Sequence, residues 1–173
     1  EAALKSEYIT KVFGAAHGIK GILNDYLYDL TLEDPEELKL LKHTPSAALG
    51  SCRYKLADPD IDDTDYKRFL EILKKYGIRY FFYIGGNDSM DTCNKLGRFL
   101  SDNDYECRVI GIPKTIDNDL AITDHCPGYG SAAKYVATTF MEVYRDATVY
   151  DSGSITVIEV MGRNAGWLTA ASA

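Results

Sequence analysis

The chain has 173 residues, 46% of them hydrophobic, and a formal charge of −7 at pH 7. That length suits one ordinary domain with a real core, and the acidic balance argues against nucleic acid or an anionic membrane as main partner. No apolar stretch approaches the roughly 18 residues needed to span a bilayer, and no secretory signal is read at the start.

Cys52, Cys93, Cys107 and Cys126 form no C-x-x-C pair and have no metal-ligand spacing with His17, His43 or His125. They read as reduced thiols of a cytoplasmic protein.

In chain order, Glu1 to Lys5 reads as the tail of a helix. Tyr8 to Ala16 is a predicted strand closed by His17-Gly18, and Gly18 to Tyr28 has helical spacing in Ile19, Ile22, Leu23 and Tyr26. Between Leu30 and His43, Pro35 followed by Glu36 and Glu37 fits a helix N-terminus. Thr44 to Lys55 is a loop carrying Arg53. Asp62 to Tyr76 is the clearest helix, with Tyr66, Phe69, Leu70, Leu73 and Tyr76 on one face and Gly77 as its stop. The acids Asp58, Asp60, Asp62, Asp63 and Asp65 sit at its start, where the helix dipole favours negative charge. A calcium loop would need a Gly and a terminal Glu at a spacing that is missing.

Three apolar runs then end in short polar loops. Tyr80–Ile84 ends in Gly85-Gly86-Asn87-Asp88-Ser89, and a run from Glu106 to Ile112 ends in Pro113-Lys114-Thr115-Ile116-Asp117-Asn118-Asp119. Ser154–Val160 ends in Met161-Gly162-Arg163-Asn164-Ala165-Gly166. Helical stretches separate them at Met90–Leu100 and Gly130–Tyr144, and another helix begins at Gly166–Ala171, so the chain reads as partial at both ends. Apolar runs alternating with helices predict buried parallel strands covered by helices on both faces. Ligands of such sheets bind outside the carboxyl ends of the strands.

The loop contents suggest phosphate chemistry. Two glycines at a strand end let backbone amides approach a phosphate, the next helix aims its N-terminus there, and Ser89 adds a hydroxyl. Asp117 can accept the proton of an attacking hydroxyl, while a second acid positions it or holds Mg2+. Arg163 and Arg53 are always-charged forks suited to phosphate. Each also has a plain structural reading, as a tight turn, a helix cap or a surface ion pair. Together they form a set of parts for phosphoryl transfer, which relies on positioning and charge neutralisation.

The three loops, with Gly50-Ser51-Cys52-Arg53 upstream, resemble those of the phosphofructokinases over nearly the whole chain. The resemblance implies an α/β fold, a Rossmann-like three-layer sandwich with a mostly parallel sheet, present here as a partial chain. It implies that residues 1–128 belong to a phosphoryl-donor domain and that 129–173 begin a sugar-phosphate domain. Asp117 would be the general base toward the 1-hydroxyl of fructose 6-phosphate, with Thr115 and Asp119 beside the reacting groups. Arg163 and Arg53 would stabilise the transferred phosphoryl group, and Met161 and Gly162 would contact the sugar phosphate. Gly86, Asp88, Ser89 and Lys114 would form the donor site, and Asn87 and Asp119 would meet Mg2+. The family also implies a glycolytic, cytoplasmic homo-oligomer, a dimer or tetramer.

Family members that use ATP typically have Gly at the positions of Asp88 and Lys114, whereas those using pyrophosphate resemble this chain. Asn87 departs from an aspartate usual in the family, and Ser154 from an arginine that reaches a neighbouring subunit's substrate. The competing readings are an ATP-dependent enzyme, a catalytically silent sugar-phosphate-binding regulatory subunit, and a lipid or NAD kinase sharing only the Gly-Gly loop. Thr115, Asp117 and Arg163 together speak against the silent subunit, and Thr115-Ile116-Asp117-Asn118-Asp119 followed by Met161-Gly162-Arg163 speaks against the lipid or NAD kinase.

Overall fold

The computed structural model describes residues 2–173, and the backbone divides into two compact units. One comprises Glu1–Tyr83 with Asp91–Gly111, the other Ile84–Met90 with Ile112–Ala173. Glu1 lies outside the described residues; the residues after it form a short 3-10 turn at Ala3–Lys5.

In the first unit, β1 (Phe13–Ala15) and β2 (Leu27–Asp29) pair antiparallel, Phe13 opposite Asp29 and Ala15 opposite Leu27. Between them α1 (Ile19–Leu23) buries Ile19 and Ile22. Sequence spacing predicts a longer strand and a helix reaching Tyr28, and the structure shortens both. Asp25 adopts a φ of +62°, and the Tyr26 N–H donates back to the Gly21 carbonyl at 2.7 Å. That reversal ends the helix and delivers Leu27 into an antiparallel pair that the sequence did not reveal.

The helix α2 (Pro35–Leu40) starts as expected: the Asp34 carboxylate accepts the Glu36 N–H at 2.8 Å and Pro35 occupies the first helical position. The helix α3 (Thr64–Tyr76) is also as expected, with Tyr66, Phe69, Leu70, Ile72 and Leu73 buried. Its acid run organises the helix entry. The Asp62 carboxylate accepts the Thr64 N–H at 3.0 Å, that of Asp58 accepts the Asp60 N–H at 3.2 Å, and Lys67 pairs with Asp63 at 2.8 Å. At the far end Gly77 takes a φ of +65°, a left-handed turn that glycine adopts without a Cβ penalty. This lets the Ile78 N–H reach the Leu73 carbonyl at 2.9 Å. Lys75 hydrogen-bonds Asp25, holding that carboxyl below the usual range and tying α3 to the turn after α1.

Next come β3 (Tyr80–Gly85), α4 (Asn87–Asp102) and β4 (Arg108–Pro113). The strands β3 and β4 pair with each other. The Arg108 N–H donates to the Arg79 carbonyl at 2.8 Å, and the Lys114 N–H to the Gly85 carbonyl at 2.9 Å. The sequence offset is the same at both ends, so the pair is parallel.

One core gathers α3, α4 and β3 through Tyr66, Phe69, Leu73, Phe81, Leu96 and Leu100. Phe69 meets Phe81 edge-on with ring centroids 5.0 Å apart. Each such side chain contributes about 2 kcal/mol by leaving water. The strands are not buried on both faces as their composition predicts. Phe81 is inside, whereas Tyr80, Phe82 and Ile84 on β3 and Ile110 and Ile112 on β4 are exposed. Burial pushes the thiols of Cys93 and Cys107 up, which keeps them protonated, and all four cysteines carry free thiols.

In the second unit α5 (Tyr129–Ala147) extends the helix predicted for Gly130–Tyr144, and it packs against α6 (Trp167–Ala170). The predicted strand Ser154–Val160 does not form. Ile155 and Val157 are 95% and 90% exposed, and among the described residues the segment has no ladder partner. A strand needs such a partner to satisfy its backbone groups and a packed face to bury its β-branched side chains. No helix among the described residues is long and apolar enough to cross a membrane.

Candidate active site

The first polar loop forms where β3 passes into α4. A Cβ on Gly85 would collide with the Ser89 hydroxyl, so glycine lets Ser89 fold back against the strand end. The Gly86 carbonyl accepts the N–H groups of Ser89 at 3.0 Å and Met90 at 3.1 Å, which starts the helix. Nothing lies within 4 Å of a Cβ added at Gly86, so that face of the loop is open to an approaching group. Asn87 and Asp88 are exposed on the first turn of α4. The start of a helix carries a partial positive charge that favours an anion.

The second loop is tied directly to the first. Its Lys114 N–H is the donor to the Gly85 carbonyl, so the parallel ladder ends by placing Lys114 beside the Gly-Gly turn. Beyond it the Thr115 hydroxyl accepts the Asp117 N–H at 3.0 Å. Asp117 and Thr115 are half-buried, and Asp119 is exposed. Asn118, between the two acids, has a φ of +56°. Its Oδ1 accepts the Cys126 N–H at 2.8 Å, and its Nδ2 donates to the Asp124 carbonyl at 3.0 Å. The Ile116 side chain lies 3.2 Å from where a Cβ on Gly128 would stand, just ahead of α5.

In the third loop, the Ala165 N–H donates to the Gly162 carbonyl, and a Cβ on Gly162 would collide with the Ala165 carbonyl. Arg163 has a positive φ of 27° and an exposed side chain. Met161 is also exposed. The Trp167 carbonyl, one residue past the loop, accepts the Tyr129 hydroxyl at 3.2 Å.

Gly86, Asn87, Asp88, Ser89, Lys114, Thr115, Asp117, Asp119, Met161, Gly162 and Arg163 therefore belong to one unit. Arg53 belongs to the other, on an exposed irregular stretch. Sequence reasoning gave no part to Asn118, which ties the second loop to Asp124 and Cys126, or to Tyr129, which bonds Cys126 and Trp167. An asparagine flanked by acids at a position tolerant of left-handed backbone was the one available signal for the former.

The donor set also bears on a metal. Among the described residues no three His, Cys, Asp or Glu side chains cluster as a protein-only metal site. Asp119 and Asn87 offer one carboxylate and one amide oxygen, which fits Mg2+, an ion that commonly takes one or two carboxylates plus substrate phosphates and water.

Comparison with known proteins accords with this geometry. The phosphofructokinase family matches residues 1–173. A pyrophosphate–fructose 6-phosphate 1-phosphotransferase of Halomonas elongata is 47% identical over 167 residues, covering 95% of this chain and 40% of that relative. Among solved structures, a pyrophosphate-dependent phosphofructokinase from Nitrosospira multiformis superposes with a TM-score of 0.88 at 42% identity, covering 99% of this chain and 42% of that one. Its counterpart from Marinobacter aquaeolei gives a TM-score of 0.81 at 43% identity, covering 95% and 40% respectively. The chain belongs to the phosphofructokinase family and has its α/β fold. It spans about 40% of the length of the curated relatives it matches.

Proposed function

We propose that the protein carrying this chain transfers a phosphoryl group from pyrophosphate to the 1-hydroxyl of fructose 6-phosphate, giving fructose 1,6-bisphosphate and phosphate. The observation that carries this reading is the hydrogen bond between Lys114 and Gly85, which sets a lysine against the Gly-Gly turn that bears Asp88. The names of the relatives support the same donor and acceptor.

In this reading the open Gly-Gly turn at the start of α4, with Ser89 and Lys114, holds the diphosphate. Asp117 takes the proton of the sugar 1-hydroxyl as that oxygen forms its bond to phosphorus. The bond between the transferred phosphorus and the bridging oxygen breaks, and phosphate leaves with the electron pair. Thr115, by accepting the Asp117 N–H, fixes the backbone from which the base projects. Arg163 and Arg53 balance the negative charge on the transferred group, while Met161 and Gly162 contact the sugar phosphate. Asp119 and Asn87 would hold Mg2+, which when bound neutralises charge on the diphosphate.

The same reading makes residues 1–128 part of the donor domain and 129–173 the start of the sugar-phosphate domain. It places the enzyme in the cytoplasm, in glycolysis, as a homo-oligomer.

The test is Asp117→Asn in the full-length protein. Loss of a general base lowers kcat by about a thousandfold while KM for fructose 6-phosphate stays within about threefold. A raised KM with unchanged turnover at saturation would make Asp117 a binding residue and remove it as the base.

A further inference from the structure

The proposed reaction leaves Asn118 without a part, although it stands between Asp117 and Asp119. Its φ of +56° lies in the left-handed region, which asparagine enters more readily than most residues with a side chain. Its amide is used at both ends, by the Cys126 N–H and by the Asp124 carbonyl. Asp124 lies at the end of a mostly exposed stretch, residues 119–125, that includes the fully exposed Ile122, and Cys126 lies just beyond it. Cys126 itself is buried, so this bond runs to a fixed point.

From Cys126 the path continues. Its carbonyl accepts the Tyr129 N–H at 3.1 Å at the start of α5, and the Tyr129 hydroxyl donates to the carbonyl of Trp167, the first residue of α6. Hydrogen bonds of Asn118, Cys126 and Tyr129 thus link the loop of the base to the starts of α5 and α6.

The geometry assigns Asn118 as a positioning residue: its amide fixes the Asp117–Asp119 backbone against the start of α5 and, through Tyr129, against the start of α6. The kinetic side of this inference rests on the reaction proposed above. A buried backbone amide, that of Cys126, supplies a readout that does not.

The experiment compares the full-length protein with Asn118→Ala, Asn118→Gly and Asn118→Asp. Glycine keeps the positive φ and removes the amide, so it separates backbone conformation from the hydrogen bonds. A base displaced by a fraction of an ångström to one ångström lowers kcat by about tenfold to a hundredfold. That loss is expected for both Ala and Gly, with KM for fructose 6-phosphate within about threefold. Asn118→Asp retains an acceptor for the Cys126 N–H and should recover part of the lost turnover. Hydrogen exchange at the Cys126 amide should be faster in the Ala and Gly variants than in the parent.

A Gly variant with parental kcat overturns the assignment, and so does one whose Cys126 amide stays fully protected. If Ala and Gly fail to fold by circular dichroism, Asn118→Asp and Tyr129→Phe decide it. Reduced kcat at constant KM in both supports positioning, and parental kcat in both contradicts it. If the parent itself does not turn over with pyrophosphate, the proposed reaction fails, while exchange at Cys126 still sustains or overturns the clamp.

Discussion

Asp88 and Lys114 carry opposite charges on two loops that one backbone hydrogen bond joins. On the first turn of α4 the Asp88 carboxylate is favoured by the helix dipole, so it is suited to this position before any ligand binds. In the proposed reaction it would work against a nucleotide, whose α-phosphate would have to approach it. Two like charges about 4 Å apart at an effective dielectric of about 20 repel by roughly 4 kcal/mol, about a thousandfold in affinity. Under the same proposal Lys114 would restore positive charge for the shorter, charge-dense diphosphate. Asp88→Gly combined with Lys114→Gly should therefore make KM for ATP measurable and raise KM for pyrophosphate at least about tenfold. If ATP affinity stays unmeasurable in that variant, the shape of the site elsewhere decides the donor.

At the scale of elements, the end of α3 is held by a residue distant in sequence. The buried Tyr105 hydroxyl lies 2.9 Å from the Leu73 carbonyl and 2.7 Å from that of Ile78, and the Arg79 guanidinium covers its ring. Tyr105→Phe keeps the ring and removes the hydroxyl. The expected loss is about 1 kcal/mol, read as a fall of a few degrees in Tm. An unchanged Tm would mean that the bond to Leu73 from the Ile78 N–H is sufficient to close the helix. Helices α3, α4 and α5 were legible because their apolar spacing and Gly or Pro boundaries are local signals. The strand β2 was hidden because Ile19, Ile22, Leu23 and Tyr26 continue a helical spacing through a reversal made by Asp25 alone. Ser154–Val160 was misread because an apolar β-branched run looks the same whether or not a neighbouring strand pairs with it. At the site, residue types announced phosphate chemistry. The bonds of Asn118 run to backbone atoms, which no residue pattern displays.

For the molecule as a whole, the family match runs over residues 1–173, yet the chain spans about 40% of curated relatives. The loops that bear the base, the lysine and Arg163 are contained in one unit of it, and Arg53 in the other. The proposed reaction is therefore tested in the full-length protein, where the proposal makes the choice of donor depend on the charges of Asp88 and Lys114. The decisive measurement supplies that protein with fructose 6-phosphate and Mg2+, and with pyrophosphate and ATP separately, and follows fructose 1,6-bisphosphate. Product with pyrophosphate and none with ATP is the predicted result. Product with ATP alone would contradict the role given to Asp88 and Lys114, and no product with either would contradict the phosphotransferase itself, leaving a silent sugar-phosphate-binding subunit.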